Sequence, residues 1–76
     1  MPIKEHDSVV LTKSLPEHGL QVGDVGAVVF VHRAGEAYEV EFISGDGATI
    51  GVVTLYPPDV RRLDASEILH ARRLSA

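Results

Sequence analysis

The sequence predicts a mostly β domain, a small five-stranded barrel over residues 1–63, followed by a short helix within residues 64–76. Three observations carry that expectation. "AYEVEFI" (Ala37–Ile43) alternates, with Tyr38, Val40 and Phe42 on one face and Glu39 and Glu41 on the other, the period-two pattern of a half-buried strand. Short β-rich stretches are separated by clusters of glycine, proline and aspartate, the residues that form turns. After Leu63 the period changes: Ala65, Ile68, Leu69 and Arg72 recur at helical spacing.

The elements follow in order. "DSVVLT" (Asp7–Thr12) is the first strand. "KSLPEHGLQVGD" (Lys13–Asp24) has no sustained period and reads as a long excursion loop, pinned to the core by Leu15, Leu20 and Val22. "VGAVVFVH" (Val25–His32) is the second strand. Its apolar residues do not alternate, so either both faces are covered or the strand bends at Gly26. "RAGE" is a turn, Ala37–Ile43 the third strand, and "SGDG" a hairpin turn. "TIGVVTL" (Thr49–Leu55) is the fourth strand. Pro57 and Pro58 break the chain through one helical turn before a short fifth strand, Val60–Leu63. Asp64, with Glu67 three residues on, is a capping-box start for a helix of roughly ten residues, marginal unless it packs on something.

Five short strands, a long first loop, tight central hairpins and a one-turn break before the last strand are the layout of an SH3-like barrel. The stretches "DSVVLTKSLPEHGLQVGDVGAVVFV" and "AYEVEFISGDGATIGVVTL" resemble a family of small bacterial, often cyanobacterial, proteins known only as a domain of unknown function. The resemblance spans roughly residues 6–63 and rests on a D-V-V-x-L-like opening, L-P-E-x-G-L, G-D-V-G-x-V-V and a Y-x-V-E-F strand before a D-G hairpin. It implies an SH3-like barrel and no activity, and it does not reach the segment after Leu63.

The glycines around Asp24 pose the first functional question. A phosphate-cradling loop needs a helix after its glycines, because the helix N-terminus supplies amide donors. Here Gly23 and Gly26 lead into a strand, so Gly23 serves a turn, Gly26 a bend or a close backbone approach, and Asp24 accepts amides within the turn. KOW-type RNA-binding barrels begin on a similar turn but surround it with basic and aromatic residues. This chain has Glu17, His18 and Asp24 there instead.

Charge extends that argument. Of the net −4, residues 1–59 carry −6 (three basic, nine acidic) and residues 60–76 carry +2 (four arginines against Asp64 and Glu67). An acidic barrel is a poor match for a nucleic-acid backbone. His6, His18, His32 and His70 lack metal-ligand spacing, and there is no cysteine. Glu39 and Glu41 could share acid and base roles, but the polar side of an amphipathic strand explains them. No catalytic residue, cofactor or metal is expected, and the chain is not expected to be an enzyme. No apolar run is long enough to cross a bilayer and no signal peptide is visible, so a cytoplasmic protein without membrane contact is expected.

The expected function is a non-catalytic protein-binding or accessory module. Its candidate partner-binding residues are Glu17, His18, Asp24, Glu39, Glu41, Tyr56, Arg61 and Arg62. The alternatives are a KOW-like nucleic-acid binder, a homo-oligomeric structural protein and an antitoxin- or immunity-type partner. The oligomer is motivated by the non-alternating apolar residues Val29, Val31, Val53 and Leu55.

Overall fold

The computed structural model describes residues 2–74. Five strands form one antiparallel sheet: β1 (Ser8–Leu11), β2 (Val25–His32), β3 (Ala37–Ile43), β4 (Thr49–Leu55) and β5 (Val60–Arg62). Their order is β4-β3-β2-β1-β5, so β4 and β5 are its two borders. Single 3-10 turns occupy Pro16–His18 and Pro57–Asp59.

One face of the sheet carries the core. Val9 and Leu11 from β1, Val28 from β2, Tyr38, Val40 and Phe42 from β3, Val53 and Leu55 from β4 and Val60 from β5 form one buried cluster. Leu15 and Leu20 join it from the long loop, where they pair with each other as an isolated bridge. The base of that loop is zipped by Leu11 N–H donating to the Asp24 carbonyl (2.9 Å) and Gly23 N–H to the Leu11 carbonyl (2.9 Å). Gly23 reaches this geometry at φ +94°, a region that disfavours side chains. Val22, expected to help pin the loop, points to solvent at 57% exposure; the Leu15–Leu20 bridge does the pinning without it.

The non-alternating run in β2 resolves into a bulge. Register with β3 shifts between Val28 and Phe30, so Val28 is fully buried while Val29 and Phe30 both face outward. The irregularity therefore sits at Val29, not at Gly26. Gly26 answers to close approach: a Cβ there would lie 2.6 Å from Val40 Cγ1 and 2.9 Å from the Glu41 carbonyl oxygen.

The expected helix after Leu63 is absent among the described residues. Asp64–Leu74 makes one turn and then runs as an irregular strap. The apolar face that would have stabilised a helix finds nothing to pack on: Ile68 is 92% exposed and Leu69 64%. The strap is instead drawn across the sheet by Arg72, which donates to Asp24 from Nε (2.8 Å) and Nη2 (2.6 Å), and from Nη2 to the Gly19 carbonyl (2.9 Å).

Candidate functional site

Two surfaces stand out, both on the side of the sheet away from the core. The first spans β2, β3 and β4. Register sets Phe30, Glu39 and Thr54 in one row and Ala27, Glu41 and Val52 in the next. Residues directly opposite across antiparallel strands share a face, so these six side chains point outward together. Glu39 is held from both sides: His32 Nε2 lies 2.7 Å from its Oε2, and Thr54 Oγ1 donates at 2.8 Å. The His32 contact, then the Thr54 hydroxyl, hold the Glu39 carboxyl below the usual carboxylate range. Glu41 accepts from Thr49 Oγ1 at 2.9 Å. Beside these engaged carboxylates, Phe30 (50%), Val52 (52%) and Ile43 (61%) are exposed apolar residues.

This His32–Glu39–Thr54 chain has the wrong order for nucleophile activation. A hydroxyl is activated by an imidazole that a carboxylate orients, with the imidazole in the middle. Here the carboxylate is in the middle and accepts from both neighbours. The arrangement ties three strands together and leaves Thr54 unactivated.

The second surface is the strap. Arg61 of β5 pairs with Glu67 through two bonds of 2.8 and 2.7 Å, and these, with the Asp64 amide, hold the Glu67 carboxyl down to about 2. Arg72 pulls the Asp24 carboxyl below its ordinary value, against the opposing effect of burial. Val10 explains the path between these anchors. It is buried, yet it alternates away from the core residues Val9 and Leu11, and its register neighbours are Arg61 and Val25. The strap, anchored on Arg61 and on Asp24 next to Val25, crosses that row.

The structure separates the eight residues expected at a partner site. Glu17 and His18 lie on the exposed Pro16–His18 turn. Tyr56 is 55% exposed beside the Pro57–Asp59 turn, and Thr12 Oγ1 donates to the Pro58 carbonyl at 2.8 Å, so the long loop begins next to that turn. Glu39 and Glu41 share the first surface. Asp24 and Arg61 are engaged by the strap, and Arg62 lies 3.6 Å from Asp7. Sequence reading missed His32, Thr54 and Thr49 as partners of the two glutamates; counting outward from the "RAGE" turn sets Glu39 near His32, but the register shift between Phe42 and Ile43 defeats the same count from the "SGDG" turn. It also missed Arg72 as an anchor, for which no local signal exists.

Among the described residues no group of three His, Asp or Glu side chains could hold a metal ion, and no helix is long and apolar enough to cross a membrane. Compared with known proteins, residues 5–62 match the model of one family, described as a domain of unknown function (DUF4926). No curated protein and no solved structure matches the chain.

Proposed function

The chain belongs to this DUF4926 family, and we propose that it is a non-catalytic protein-binding module that receives a partner along β4. One observation carries the reading. β4 is a border strand of seven residues, "TIGVVTL", without a charge or a proline. Soluble proteins blunt such borders with lysine, proline, bulges or a cover, because a bare edge templates another strand; the register shift in β4 is confined to its Thr49–Gly51 end, and Gly51–Leu55 runs in regular register with β3. A strand added there would gain main-chain hydrogen bonds, and exposed Val52, Phe30 and Ile43 would offer apolar contact beside it. The tethered Glu39 and Glu41 then set charge preference more than affinity.

We read the sheet as an SH3-like barrel. The β4-β3-β2-β1-β5 order, the long loop between β1 and β2, and the single 3-10 turn between β4 and β5 support it. The acidic balance of residues 1–59 speaks against a nucleic-acid partner.

The test is affinity capture from native cell lysate, with and without nuclease, using wild type and Val52→Lys. A protein retained by wild type through nuclease and lost with Val52→Lys supports the reading. Retention unchanged by Val52→Lys refutes β4 as the site, and a haul that disappears with nuclease puts nucleic acid first.

A further inference from the structure

We infer that the partner received along β4 is a second copy of this chain, the two β4 strands meeting antiparallel about a two-fold axis at Val53. This deepens the reading of β4 as the open border and rests on it.

A glycine inside the strand points to the contact. Gly51 lies opposite Phe42, so it faces the core side together with Val53 and Leu55. The β4 bulge does not account for it. The unpaired residue there is Ile50, Gly51 is back in register with β3, and its φ is outside the left-handed region that a bulge glycine occupies. Nor does crowding account for it: a Cβ at Gly51 would meet nothing within 4 Å, whereas one at Gly26 would collide with Val40 and Glu41. Glycine weakens a strand interior, and one with neither cause marks the close approach of another backbone. At a border strand that backbone comes from outside the chain.

The stretch in regular register, Gly51–Leu55, complements itself. Laid antiparallel on its own copy, it sets its first residue against its last and Val53 against Val53. Each Gly51 then faces the other copy's Leu55, the smallest side chain of the stretch against the largest, so both gaps are met at once. On the outward side Val52 faces Thr54, a β-branched cross-strand pair. Charge permits the arrangement. β4 carries none, and it brings Glu39 of one copy into the row of Glu41 of the other with three strand spacings between them. That is about 14 Å, beyond the screening length of about 8 Å at physiological salt. Five paired residues a side bury less than the roughly 1,200 Å² of a lasting interface, so the dimer is sensitive to dilution, half formed on the order of 100 μM.

The test uses the purified full chain, without lysate. Sedimentation equilibrium from about 10 μM to about 1 mM is expected to show the mass rising toward twice that of the chain. Amide shifts over the same range are expected to move along Gly51–Leu55 and to stay still at Val60–Arg62. The chain has no cysteine, so introduced thiols report the register alone. Val52 and Thr54 are both exposed, so Val52→Cys and Thr54→Cys leave the core untouched. Mixed in equal amounts in a glutathione buffer, these two variants are expected to form the 52–54 disulfide about tenfold over either 52–52 or 54–54, because directly opposite residues come within disulfide reach and diagonal ones do not. Unchanged amide spectra of β1–β3 certify the fold of each variant. A chain that stays monomeric at about 1 mM overturns the inference, as do disulfides formed without preference or shifts confined to another surface. A monomer that still captures a different protein, and loses it with Val52→Lys, removes the second copy and leaves β4 as the docking border, so the two readings fail separately.

Discussion

The two borders of the sheet are built on opposite plans. β5 is three residues long, carries Arg61 and Arg62, follows two prolines, and is extended by Leu63 N–H donating to the Ser8 carbonyl (3.1 Å) before the strap turns back across β1. β4 is seven residues long and uncharged, and among the described residues no strand pairs along its outer side. Charge, proline and cover are the means by which sheets avoid joining one another. Charge and proline stand at one border and neither stands at the other, and the proposed docking edge rests on that asymmetry. The strap that follows β5 is held to the sheet by the Arg61–Glu67 and Arg72–Asp24 pairs.

The comparison breaks most severely if the borders do not share a core. Leu55 of β4 and Val60 of β5 are both buried in one cluster, at 1% and 6% exposure. Leu55→Ala should cost about 3 kcal/mol and Val60→Ala about 2 kcal/mol, from lost burial plus the cavity left behind. Urea unfolding followed by amide signals from β4 and from β5 should give coincident transitions in both variants. Separate transitions would mean that the borders are independent units.

A smaller effect sharpens the contrast between a covered and an uncovered edge. The Asp24 and Glu67 carboxyls lie below their ordinary values because arginines hold them, Glu67 at about 2. Groups lowered in the folded state stabilise it fully above their unfolded values and lose that contribution as pH falls through the folded ones. The strap should therefore stay in place from neutrality down to the ordinary carboxylate range, about pH 4, and loosen as pH falls below it, the Arg61–Glu67 pair lasting to about pH 2. Amide shifts of Ile68–Arg73 followed during acid titration check this. Movement confined to higher pH would show that another contact holds the strap.

The smallest effect lies at the turn joining β2 to β3. Arg33 (φ +42°) and Ala34 (φ +55°) occupy the left-handed region ahead of Gly35. Ala34→Gly should relieve about 1 kcal/mol of strain and lose about half of that to the freer unfolded chain. A net gain of about 0.5 kcal/mol, read by thermal unfolding, is expected, with both borders unaffected.

How much of this was legible in the sequence follows from how far apart the interacting residues lie. β2, β3 and β4 are bounded by local turns and end where the sequence reading placed them, because alternation and turn chemistry act within a few residues. The strap was misread for the opposite reason. Asp64 and Glu67 do form capping contacts, as their spacing predicts, but the next residues answer to Asp24, 48 positions away from Arg72. No period or propensity in the local sequence encodes that pairing. Gly26 is intermediate: its need for a bare backbone was readable, while the Val29 bulge depends on how β2 meets β3. At the candidate site, Glu39 and Glu41 were legible as an outward face. Their tethers to His32, Thr54 and Thr49 emerge only once strand register is fixed.

The central claim is that β4 is the border that receives a partner. Amide hydrogen exchange of the wild-type chain, measured alone and with the protein it captures, tests this most directly. The account predicts new protection along Thr49–Leu55 and none at Val60–Arg62. Protection gained at β5, or at neither border, would contradict it.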